Sequence, residues 1–114
     1  MKLKQIVEEL GLEIRCASHK LDTQVSGGYA GDLLSDVLGN AAKDNIWVTM
    51  QIHQNIVGVA SIKELAGIVI VNGREPEEET SKKAEQENIP IILTKLPAFE
   101  IVGRLYKLGV HATE

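Results

Sequence analysis

The run Ile68-Val69-Ile70-Val71 is apolar without interruption and is bracketed by Gly67 and Asn72-Gly73. An apolar run this short, with no polar alternation, suits a strand covered on both faces, the situation of parallel sheets. Ile46-Trp47-Val48-Thr49-Met50, rich in β-formers, reads as a preceding strand, and Ile89-Pro90-Ile91-Ile92-Leu93 as a following one. Pro90 stands near the start of its strand, where a missing N–H is tolerated. Helical patterns separate these strands. Ile52 and the segment 56–65 form one helix, with Ile56, Val59, Ala60 and Ile62 on its inner side. Pro76 opens another, reaching to about residue 87, and the glutamates behind it favour the positive helix end. That helix has little apolar face beyond Ala84, so it should lie on the surface, weakly held, with Asn88 as its stop. Phe99, Val102, Leu105, Tyr106 and Leu108 mark the last helix, closed by Gly109. The strand–helix alternation from Trp47 onward predicts a three-layer α/β/α domain with a mainly parallel central sheet. Right-handed crossovers then leave few topologies.

The N-terminal third is less regular. Leu3, Ile6, Val7 and Leu10 recur at helical spacing, and Gly11 stands where a left-handed stop belongs, so residues 1–11 form a short helix. Leu12, Ile14 and Cys16 then alternate with Glu13 and Arg15, which predicts a strand with one wet face near a sheet edge. Gly27, Gly28 and Gly31 crowd the segment 25–32 and argue against regular structure through it. Leu33, Leu34, Val37 and Leu38 give the next helix, with Asp32 as its N-cap, accepting from the Ser35 N–H.

At 114 residues the chain has the size of a single domain. No repeat, low-complexity tract or linker divides it, and residues 111–114 should fray. A formal net charge of -4 removes the general basic field that nucleic acid binding needs, and so few aromatic residues offer little base stacking. One cysteine, Cys16, permits no internal disulfide, which favours a reducing compartment. The first ten residues carry charge throughout, unlike a signal peptide, and no stretch reaches the ~20 apolar residues of a membrane span. The expected location is the cytoplasm, with no membrane and no nucleic acid among the partners.

Three clusters are candidates for chemistry. Ser26, Gly27, Gly28, Gly31, Asp32 and Ser35 form a Gly-rich stretch leading into a helix, where backbone N–H groups can hold an anion. The same stretch also reads as a tight turn with an N-cap. It lacks the Gly-Lys-Ser/Thr ending of a nucleotide phosphate loop, and Asp32 places negative charge where a phosphate would sit. Thr49, Gln51, His53 and Asn55 alternate through a strand-to-helix junction, where open parallel sheets place ligands. His53 there could titrate near neutrality or meet a phosphate, while Gln54 or Asn55 could equally cap the next helix. Cys16 and His19 have the spacing of half a zinc site, but no second close pair accompanies them, so no metal is expected. No nucleophile, base and orienting acid assemble from spacing, and nothing calls for a cofactor.

Taken together, several segments resemble the DRTGG domain family. They are Val25-Ser26-Gly27-Gly28-Tyr29-Ala30-Gly31-Asp32-Leu33-Leu34-Ser35-Asp36-Val37 and the stretch from Trp47 through Gln51, His53 and Gly58 to Ala60. Gly67-Ile68-Val69-Ile70-Val71-Asn72-Gly73-Arg74-Glu75-Pro76 and Ile89-Pro90-Ile91-Ile92-Leu93-Thr94 complete the pattern. A literal Asp-Arg-Thr-Gly-Gly run is absent. The family is similar to the N-terminal domain of bacterial HPr kinase/phosphorylase and to modules of some phosphotransacetylases and CBS-containing pyrophosphatases. The resemblance implies a noncatalytic regulatory or assembly domain that dimerises or docks on a larger metabolic enzyme. The alternative is a sensor holding a nucleotide or other phosphorylated small molecule between the 27–32 segment and the 49–55 junction. An enzyme is the third reading.

Overall fold

The computed structural model describes residues 1–113. In chain order the elements are α1 (Leu3–Leu10), β1 (Glu13–Cys16), β2 (Gly27–Ala30), α2 (Leu34–Asn40), β3 (Asn45–Thr49), α3 (Asn55–Ile62), β4 (Gly67–Ile70), α4 (Glu78–Glu87), β5 (Ile91–Leu93) and α5 (Ala98–Lys107). They build a five-stranded sheet of order β1-β5-β4-β3-β2. Strands β2 to β5 are parallel neighbours, and β1 joins β5 antiparallel. The expected three-layer α/β/α architecture is therefore present.

Strand periodicity divides the core into two halves. Trp47, Ile68, Ile70, Ile91 and Leu93 face a layer containing Val37 of α2, Ile56 and Val59 of α3 and Ala84 of α4. Ile46, Val48, Val69 and Ile92 face Leu3 and Ile6 of α1 and Ile101 and Leu105 of α5. Strands β3, β4 and β5 are buried at every residue, the reason their sequences show no alternation.

Several local expectations need correction. The Gly-rich segment is a regular edge strand, β2, paired residue for residue with β3 from Gly27↔Asn45 to Ala30↔Val48. Its glycines serve the C-terminal tail, which lies on this edge. The Gly28 N–H donates to the His111 carbonyl at 2.9 Å. A Cβ on Gly27 would stand 2.5 Å from Thr113 Oγ1 and 2.6 Å from the His111 carbonyl oxygen. The Asn45 amide donates to Thr113 Oγ1 at 2.9 Å, and the His111 ring stacks on Tyr106 at 4.1 Å. Residues 111–113 are thus pinned where fraying was expected, and Glu114 lies outside the described residues.

Leu12, Ile14 and Cys16 do not share one face. Ile14 pairs with Ile92 and Cys16 with Ile91, so an extra residue, Arg15, bulges from β1. The bulge resets the alternation. Leu12 and Ile14 pack toward α1 and α5, whereas Cys16 enters the opposite half of the core.

Asp32 precedes the N-cap position, which Leu33 occupies with no side-chain bond. Ile62, expected on the inner side, ends α3 and is 72% exposed, because it falls on the far side of the helix from Ile56. Helix α4 starts at Glu78 and is held by polar pins as well as by Ala84. Thr80 Oγ1 donates to the Ile52 carbonyl at 2.7 Å, and the Glu85 carboxylate accepts from the Ala17 N–H at 2.7 Å. In α5 the inward residues are Ile101 and Leu105, while Phe99 is 94% exposed and Tyr106 62%.

Candidate functional site

The parallel strands end in polar loops, and the end of β2 and β3 gathers part of the expected site. Asp32 Oδ1 accepts from the buried Thr49 hydroxyl and from the Met50 N–H, both at 2.8 Å. The Gln51 amide donates to the Asp32 carbonyl at 2.9 Å, and the Gln51 N–H reaches Thr49 Oγ1 at 3.2 Å. The indole N–H of Trp47 donates to the Gly31 carbonyl at 2.9 Å. These contacts tie the loop after β2 to the end of β3 as a clasp centred on Asp32.

The other residues lie apart from it. Ser26 and Gly27 are at the opposite end of β2, on the order of 15–20 Å away along an extended chain. There Ser26 Oγ donates to the Lys43 carbonyl at 2.6 Å and accepts from the Asn45 amide at 3.0 Å. Gly28, inside β2, is bonded to the tail. Ser35 is exposed in the first turn of α2. His53 is exposed at the start of α3, where its Nδ1 accepts from the Asn55 N–H at 3.1 Å. Gln54, one of the two caps suggested by the sequence, holds the N-cap position of α3 without a side-chain bond, and the His53 ring supplies the acceptor instead. The nine residues expected at one ligand site are distributed over two ends of the sheet.

The strand order places no switch point between β2 and β3. From β2 to β5 the chain adds each strand on the same side of the last, and α2, α3 and α4 all cover one face. The order does not reverse among the parallel strands, so no topological switch point opens there.

Polar loops of the same kind at the ends of β4 and β5 do border a cavity, of about 370 Å³, with Gly11, Glu13, Glu75, Thr94, Lys95 and Arg104 in its walls. On its rim the Arg15 guanidinium holds Glu75 at 2.6 Å and Glu13 at 2.9 Å. The hydrogen bond from Arg15 lowers the Glu75 carboxyl below its ordinary range and raises the guanidinium. Arg104 is paired with Glu100 at 3.2 Å, while Lys95 forms no ion pair among the described residues. Sequence reading missed this cavity because its walls come from α1, β1, β5 and α5 and from the loops after β4 and β5. The available signal was the placement of Asn72-Gly73 and Thr94-Lys95 directly after strands.

Cys16 and His19 turn to different partners. The thiol contacts the Ser81 carbonyl at 3.7 Å, and burial pushes its pKa up. His19 Nε2 pairs with Asn88 Oδ1 at 2.8 Å. Among the described residues no three His, Cys, Asp or Glu side chains are grouped to hold a metal ion. Tyr29 donates to the Asp36 carboxylate, and this bond raises the phenol pKa.

No family model matches the sequence, and no curated protein matches it. The fold does have a solved relative: the CBS and DRTGG domains of the regulatory region of Clostridium perfringens pyrophosphatase, complexed with the activator diadenosine tetraphosphate. The superposition has a TM-score of 0.70 at 14% identity and covers 89% of this chain. It takes in 44% of the pyrophosphatase chain, so the two share a fold over less than half of that regulatory region. The fold is thus one found in an enzyme's regulatory region. No helix is long and apolar enough to cross a membrane among the described residues.

Proposed function

We propose that this chain is a cytoplasmic regulatory module of DRTGG type, acting by docking on a copy of itself or on a larger metabolic enzyme and turning over no substrate. One observation carries the reading: Asp32, Ser26 and His53 of the expected site each hold hydrogen bonds within the fold. Asp32 is engaged by Thr49 and Met50, Ser26 by Lys43 and Asn45, and His53 by Asn55. Among the described residues no hydrogen bond joins a serine, threonine or cysteine side chain to a histidine ring, the pairing that activates a nucleophile. The likeness to a pyrophosphatase regulatory region supports the same reading. Titrated into the enzyme with which it co-purifies, the chain should change that enzyme's rate while showing no turnover of nucleotides or acyl phosphates alone. A turnover by the isolated chain that disappears in Asp32→Ala or His53→Ala would overturn it.

A second reading, a small-ligand sensor, is favoured by the cavity beyond β4 and β5, whose Lys95 ammonium suits an anionic group. Its ligand would be a nucleotide or another phosphorylated metabolite. Binding to the folded state alone raises the melting temperature. A panel of ATP, AMP, diadenosine tetraphosphate and acetyl phosphate should give at least one such rise, abolished in Lys95→Ala. No rise across the panel leaves docking alone.

A further inference from the structure

Helix α5 presents its own apolar stripe to solvent. Phe99, Val102 and Tyr106 are exposed along one face, with Gly103 among them. Leu33 and Ile62, also exposed, lie on other elements, α2 N-cap and α3, and are the scattered kind that needs no explanation. Beside the α5 stripe runs a groove of about 240 Å³ between α5 and the edge strand β2. Its walls are mainly apolar and include Tyr29, Ala30, Val48, Val102, Tyr106 and Val110.

We propose that a second copy of this chain occupies this face, with the two α5 helices antiparallel about a two-fold axis near Val102 and Gly103. The inference rests on the docking reading above and names the partner. The argument is one of self-complementarity. Phe99 projects near one end of the stripe and the groove opens near the other, by Tyr106 and Val110. A two-fold axis between them seats each Phe99 ring against the partner copy's groove, the isologous arrangement that closes at a dimer. A Cβ on Gly103 would meet nothing within 4 Å, so the centre is open for a close helix approach. The same symmetry brings Glu100 of each copy toward the opposite Arg104, a complementary pairing of charges.

The two exposed aromatic rings supply part of the area such a dimer needs. At 94% and 62% exposure, Phe99 and Tyr106 bring roughly 300 Å² of open surface per copy. That is about half of the ~600 Å² per copy that the smallest stable interfaces need. Val102, Gly103 and the groove walls are available for the remainder.

Sedimentation equilibrium across a concentration series tests the inference. The wild-type chain should be a dimer, and Phe99→Asp should weaken it roughly 30-fold or more with an unchanged far-UV spectrum. A Gly103→Cys variant should oxidise to a covalent dimer. Phe99→Cys should cross-link far less, since the two Phe99 positions lie about 10 Å apart along the axis. A monomeric wild type, or a dimer indifferent to Phe99→Asp, overturns the proposal. Should Phe99→Asp misfold, the Gly103→Cys and Phe99→Cys comparison decides: equal cross-linking overturns it. A monomer that still alters its enzyme's rate removes this dimer and leaves the docking reading standing. Intrinsic turnover removes the docking reading and leaves the dimer to the sedimentation result.

Discussion

The Asp32 carboxylate and the Thr49 hydroxyl meet at 2.8 Å across the ends of β2 and β3, and the same carboxylate oxygen takes the Met50 N–H. One side chain thereby fastens the edge strand's exit to the neighbouring strand's exit and satisfies a buried hydroxyl. Removing it leaves Thr49 without its acceptor, and unsatisfied buried donors are costly. Asp32→Ala should lower unfolding free energy by about 1–3 kcal/mol, read from urea denaturation. Asp32→Asn retains an acceptor oxygen and should lose less.

Gly27 is required by what lies over it. A methyl group there overlaps the His111 carbonyl and the Thr113 hydroxyl, so either the tail lifts or the strand shifts. Gly27→Ala should cost about 1–3 kcal/mol, the usual range for overpacking. Amide exchange should speed up at Gly28, whose N–H donates to the tail. Unchanged exchange there would mean the tail does not depend on the contact.

The Glu75 ion pair gives a pH signature with a definite sign. Its carboxyl pKa is depressed in the folded chain below the ordinary 4.5. Its stabilising contribution is therefore complete above that ordinary value and is lost as pH falls through the folded one. Comparing wild type with Glu75→Gln, the urea midpoints should differ near neutrality and converge in acid. The pair is exposed, so salt should shrink the difference.

Cys16 is 4% exposed and its thiol pKa is raised, chiefly by burial. Little thiolate is present at neutral pH, and reagents cannot reach it without local opening. Modification by a colorimetric disulfide reagent should be slow in buffer and fast in urea. Fast labelling of the native chain would contradict the packing of β1 against α4.

Much of this fold was legible because its strands are buried on both faces. The runs around Trp47, Ile68 and Ile91 carry that burial directly, and with the intervening helices they imply the parallel sheet. What escaped reading depends on contacts distant in sequence. Gly27 and Gly28 look like a turn unless His111 and Thr113, over eighty residues on, are known to lie beside them. Asp32 looks like a helix cap unless Thr49 is known to stand opposite. Ser26 lies apart from Thr49 and His53 for a related reason: a strand holds its two ends apart, whereas a turn would have brought them together. Phe99 and Tyr106 fit helical spacing, and spacing alone does not distinguish the stripe that faces the sheet from one that faces water.

The bulge at Arg15 acts as a phase shift in the chain. Before it, side chains of one parity serve the layer of α1 and α5; after it, the same parity serves the layer of α2, α3 and α4. Deleting Arg15 would make Ile14 and Cys16 neighbours in plain alternation, still opposite Ile92 and Ile91, so each would keep its half of the core. Ironing the bulge flat with Arg15 kept in the ladder would instead turn Cys16 toward the wrong half of the molecule and swing the Ala17 amide away from Glu85. Position 15 thus does two separable things: its side chain holds a surface ion pair, and its backbone, by standing outside the ladder, decides which core the chain is sewn into.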